Sequence, residues 1–215
     1  MTKSYFFLFM LFALISCGKS GGGGSSSSAS DDSQKQTDIG EISTSTPVPN
    51  LALTWDANVD FIKFTKVQED KVLDAVDLIK QVIASDEFKN RVLNHKFNGK
   101  KTYVDNNGLS NAQIYQKILE GSEKLRPGKN NKMDITVETY YVDANVIGYT
   151  MPSINKIYMN TKYLNNFTPV QVASNMVHEW LHKLGFGHDF EATPTRPYSV
   201  PYAVGYIIKT LAARY

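Results

Sequence analysis

Three observations predict an α+β fold for this chain. Val67, Val72, Leu73, Val76, Ile79, Val82 and Ile83 fall mostly three and four residues apart, the period of an amphipathic helix. Met133, Ile135, Val137, Thr139 and Tyr141 alternate with polar neighbours, the period of a half-buried strand. Thr168-Pro169-Val170-Gln171 starts a second long helix: Thr at the cap, Pro where its missing N–H costs nothing, and Gln placed to complete a capping box.

Taken in order, the first helix follows Thr65 and runs about five turns, its apolar stripe facing a core. Asp86–Asn94 forms a short second helix and Ser110–Glu120 a third, with Ser110 as its cap. The 133–141 strand comes next. Val146–Thr150 and Lys156–Asn160 flank Pro152-Ser153-Ile154-Asn155, a turn-like interruption that predicts a hairpin. The helix from Thr168 extends to about Leu184, and a last helix covers about Tyr202–Ala213.

Composition bounds the function. With 42% apolar and 20% charged residues the 215-residue chain can bury a core. A net charge of +2 leaves no electrostatic footprint for tracking phosphates, so a nucleic-acid partner is not expected. The single cysteine rules out an intramolecular disulfide, a Cys-rich zinc framework and a CxxC pair.

That cysteine directly follows an apolar leader. Lys3 precedes the apolar run Tyr5–Ile15, about half of what a permanent span needs, which reads as a secretion signal. The run ends in Leu14-Ile15-Ser16-Cys17, which resembles the bacterial lipoprotein signal. The resemblance implies removal of residues 1–16, lipidation of Cys17 and attachment to a membrane. With Gly18-Lys19 rather than Asp after the cysteine, it points to the outer membrane, facing the periplasm or the cell surface. An ordinary signal peptide with an incidental cysteine is the alternative. Residues 18–49 hold only Ala29, Ile39, Ile42 and Val48 as apolar positions and include Gly21–Gly24 and Ser25–Ser28. Such a stretch does not repay its ordering entropy and predicts a tether with a reach of roughly 30 Å. Residues 50–215 form the folded domain, without internal repeats, expected to be monomeric.

The chemistry concentrates in His178-Glu179-Trp180-Leu181-His182-Lys183-Leu184-Gly185-Phe186-Gly187-His188, an HExxHxxGxxH pattern that takes three of the four histidines in the chain. Positions 178 and 182 lie one helical turn apart, so both imidazoles leave one face and can meet one ion. Glu179 is rotated by about 100° from His178 on an ideal helix, beside the ion rather than bound to it, free to take a proton from a metal-bound water. Gly185 can adopt the left-handed conformation that ends a helix and return His188 as a third ligand. Three nitrogens leave a fourth position for water, whose pKa zinc lowers to about 7. His95, outside the motif, reads as an ordinary structural histidine.

HEWLHKLGFGH resembles the zinc signature of the metzincin clan of metallopeptidases. The resemblance implies a small mixed, twisted sheet, an active-site helix and a C-terminal subdomain, here short. It implies one Zn2+ held by His178, His182 and His188, with Glu179 as general base acting on a peptide or protein substrate. It also implies an edge strand, the 146–150 limb, that pairs with extended substrate. The clan carries a methionine turn after the third histidine, whereas the last methionine here is Met176. Ser199-Val200-Pro201-Tyr202 is the candidate substitute, with Val200 or Pro201 as apolar floor. Tyr202 reads either as a transition-state stabiliser or as an aromatic packed in the C-terminal core. Asp189, next to His188, reads as an orienting group or as a loop residue. Two functions remain open: a membrane-anchored zinc endopeptidase, or a non-catalytic surface lipoprotein that keeps the metal for binding or stability.

Overall fold

A computed structural model describes residues 54–215; the expected signal segment, Cys17 and the expected tether lie outside the described residues. The chain runs β1 (Asp56–Ile62), α1 (Lys66–Ile83), α2 (Asp86–Leu93), α3 (Asn111–Glu120), β2 (Lys132–Tyr140), β3 (Gly148–Thr150), β4 (Lys156–Asn160), α4 (Thr161–Leu164), α5 (Pro169–Lys183), a 3-10 turn (Arg196–Tyr198) and α6 (Val200–Ala212).

The helices start where side chains satisfy the first free N–H groups. Thr65 with Gln68, Ser110 with Gln113 and Thr168 with Gln171 each form a reciprocal capping box, and Ser85 caps α2. The last helix begins at Val200 rather than Tyr202, so the expected site tyrosine sits in its first turn.

The four strands form an open mixed sheet in the order β1-β2-β4-β3. β1 and β4 both pair parallel with β2, while β3 pairs antiparallel with β4 and occupies the edge. The fold is therefore mixed α and β, and the expected hairpin and edge strand are present. The edge strand is shorter than the expected 146–150 limb. Asn160 accounts for the difference: its Nδ2 donates to the Val142 and Val146 carbonyls, which turns the chain before pairing starts at Gly148. β1 was not anticipated from sequence.

One face of the sheet carries Met133, Ile135, Val137, Ile157 and Met159, all buried, and α1 and α5 pack against the sheet. The other face carries Glu138, gripped by Lys63 and Lys156 at 2.7 and 2.9 Å, and the tyrosines 140, 149 and 158. Core packing centres on α5, where Met176, Val177, Trp180 and Leu181 are fully buried. Trp180 meets Trp55 edge-to-face with ring centroids 5.8 Å apart. Among the described residues no helix is long and apolar enough to cross a membrane.

Candidate metal centre

Helix α5 presents His178 and His182 on one face, as their spacing requires. The helix stops in a two-bond closure: Phe186 N–H donates to the Leu181 carbonyl and Gly185 N–H to that of His182, with Gly185 at φ 98°. This is a Schellman motif with glycine in the position that tolerates positive φ. Buried Phe186 and Leu181 supply the apolar contact that accompanies it. The reversal carries His188 back to the helix, its Nε2 3.3 Å from that of His178. The ligand atoms of His178, His182 and His188 lie within 4.8 Å of one another, close enough to hold one metal ion.

The outer nitrogens decide what the inner ones can do. His182 Nδ1 faces the Phe186 carbonyl and His188 Nδ1 the Asp189 carbonyl, both at 2.9 Å. His178 bonds the Pro201 backbone, which offers only a carbonyl because proline has no N–H. A carbonyl can only accept, so each engaged ring nitrogen carries the proton and the opposite nitrogen keeps a bare lone pair. Two such lone pairs 3.3 Å apart repel unless a cation or proton lies between them. Two nitrogens at the usual 2.0–2.1 Å from a tetrahedral zinc would stand about 3.3 to 3.4 Å apart. That pair stands at zinc-ligand spacing and the third nitrogen lies within 4.8 Å, so the donor set could hold one metal ion, with the carbonyls as the outer support that fixes ring orientation.

Electrostatics agree with neutral ligands. Burial pushes all three imidazoles below the ordinary histidine range, His178 well below it and His182 to about 4, so protons do not compete at neutral pH. Burial pushes the Glu179 carboxyl up to about 8, against the pull of Lys183. A cation among the three imidazoles would draw it back down.

Tyr202 also arrives at the cluster, its ring centroid 4.6 Å from His178 and 4.8 Å from His188. The Arg196 guanidinium lies 4.8 Å over that ring. Burial raises the Tyr202 hydroxyl above its ordinary value, and Arg196 opposes the rise. Val200 and Pro201 are buried at the start of α6. Asp189 supports His188 through its backbone carbonyl, while its exposed carboxylate accepts from Thr193 instead. His95 stacks on Tyr103 at 4.0 Å and takes no part in the cluster.

Sequence reading missed three supports. Lys183, 4% exposed, donates from Nζ to the Met151 carbonyl at 2.7 Å and to that of Ile154. Glu123, 1% exposed, accepts from Trp180 Nε1 at 2.8 Å and from the Asp134 N–H at 3.1 Å. Arg196 had no local signal, whereas Lys183 stands one turn beyond Glu179 on the same helix and was visible in principle.

Comparison with protein-family models and with curated proteins yields no match. The reading of this centre rests on its own geometry.

Proposed function

We propose that the chain is an exported zinc-dependent endopeptidase, held at the bacterial cell envelope, on the outer membrane, through lipidated Cys17. The observation that carries the reading is the convergence of three proton-free imidazole nitrogens, each oriented by a backbone carbonyl, on the helix that also bears Glu179. A binding or structural site needs the histidines but has no use for that carboxylate.

Zinc, when held by His178, His182 and His188, supplies Lewis acidity that polarises a scissile carbonyl and brings the pKa of water to about 7. Glu179 accepts the proton of the attacking water and then delivers it to the leaving amine nitrogen. Its burial favours that return, because the protonated carboxyl is the form a dry pocket tolerates. Tyr202, beside two of the histidines, donates its hydroxyl proton in a hydrogen bond to the developing oxyanion. An extended peptide adds to the free edge of β3, aligning several residues by main-chain hydrogen bonds. Val200 and Pro201 stand in for the absent methionine as apolar packing.

Metal analysis joined to cleavage profiling tests the reading. The purified protein is expected to carry close to one zinc per chain and to cut a broad peptide library. Chelation should abolish cleavage and added zinc restore it, and His182→Ala should lose most of the metal. A zinc-loaded, folded protein that cuts nothing would instead favour the non-catalytic binding lipoprotein. Membrane fractionation of Cys17→Ser tests the anchor, since release into the soluble fraction is expected.

A further inference from the structure

The edge strand β3 has only three residues and pairs with β4 alone, so a few bonds hold it. Each end of it is clamped by a side chain. At its start, Asn160 binds the Val142 and Val146 carbonyls. Past its end, the Lys183 ammonium takes the carbonyls of Met151 and Ile154, two backbone acceptors of the β3–β4 turn. Asn160 lies at the end of the sheet strand β4, whereas Lys183 belongs to α5 and stands one turn beyond Glu179. A buried ammonium is costly unless its donors are satisfied, and here two turn carbonyls take two of its three protons where an apolar side chain would have packed without that cost.

We infer that Lys183 is a positioning residue for substrate: it clips the β3–β4 turn to the helix bearing Glu179 and so fixes the height of the β3 edge over the histidine cluster. The inference rests on the peptidase reading and adds a residue to it. A peptide long enough to lie along β3 depends on that height. A substrate with a single residue before the scissile bond and a small chromogenic leaving group does not.

Lys183→Met in the full-length chain removes the donors and keeps an unbranched side chain. Bound zinc should be unchanged. For a long peptide KM is expected to rise about tenfold while KM for the short substrate stays within about twofold; because Lys183 also pulls on the Glu179 carboxyl, any change in kcat should be shared by both substrates. Backbone amides of residues 148–159 should exchange about tenfold faster, with those of α5 unaltered. Lys183→Arg, which keeps a cation and several donors within reach of both carbonyls, should lie nearer wild type. A KM that rises equally for long and short substrates, or for neither, would overturn the inference. If the zinc-loaded wild type cuts neither substrate, the peptidase reading fails, and amide exchange alone decides the clip: unchanged exchange at 148–159 refutes it. If neither variant folds, Lys183 is a requirement of the whole domain and the proposal falls.

Discussion

Replacing Glu123 by Ala should cost the fold about 3 kcal/mol. The carboxylate is 1% exposed, and one of its oxygens accepts from both Trp180 Nε1 and the Asp134 N–H. Its removal leaves two buried donors without an acceptor, at about 1–3 kcal/mol each. Relief of burying a carboxyl whose second oxygen has no partner returns part of that. Glu123→Gln keeps the accepting oxygen and carries no charge, so it should stay within about 1 kcal/mol of wild type. Urea unfolding followed by tryptophan fluorescence suits the test, because the only two tryptophans, Trp55 and Trp180, meet beside this carboxylate. With a slope of about 2 kcal/mol per molar, the Ala variant should unfold about 1.5 M earlier. Burial raises the Glu123 carboxyl above its ordinary value of 4.5, so between that value in the unfolded chain and the raised native one the folded state holds more protons. Wild-type stability from this group is therefore full below that window and declines as pH rises through it, whereas the Gln variant should lack the decline. An Ala variant within 1 kcal/mol of wild type, with unchanged fluorescence, would refute the reasoning.

Other outcomes follow from the same geometry. A Cβ at Gly205 would stand 3.2 Å from the Ser174 carbonyl and 3.5 Å from His178 Cβ. Gly205→Val should therefore force α6 off α5, destabilise by about 1–3 kcal/mol despite the gain in helix propensity, and weaken zinc binding by shifting the Pro201 carbonyl; thermal melts and chelator competition check both. Because burial holds the imidazoles below the ordinary range, with His182 at about 4, apparent zinc affinity should stay flat as pH falls from 8 through the ordinary histidine range and decline only below it. Three ordinary histidines would lose affinity steeply from about pH 6.5, so a decline starting there in chelator titrations contradicts the assigned environment.

The parts of the molecule written locally were legible in sequence. The helix after Thr65 shows in its apolar period, Ser110 marks its helix as a cap and Thr168 announces its own because a cap and its glutamine lie three residues apart, and the histidine trio follows from helical spacing plus a glycine. β1 escaped notice although Ala57, Val59 and Phe61 alternate, because Asp56, Asn58 and Asp60 between them are poor strand formers. Its place is set by parallel pairing with β2, more than seventy residues away. Glu123 sits in a polar loop and owes its burial to Trp180, so no local signal could mark it. The shortened β3 was hidden because the Asn160 side chain gathers the Val142 and Val146 carbonyls, a long-range fold-back that local sequence does not show. At the site the ligands were visible, but the carbonyls of Pro201, Phe186 and Asp189 that orient them depend on how the loops fold back.

The most direct test is zinc content measured beside peptide hydrolysis for Glu179→Gln. The substitution keeps the shape of a buried side chain next to the histidines and removes its ability to take a proton. The account predicts close to one zinc per chain, a melting temperature near wild type and hydrolysis reduced by roughly 10² to 10⁴-fold. A variant that loses its zinc would contradict the account by making Glu179 part of the metal cage. One that keeps full hydrolysis would contradict it by showing that the proton goes elsewhere.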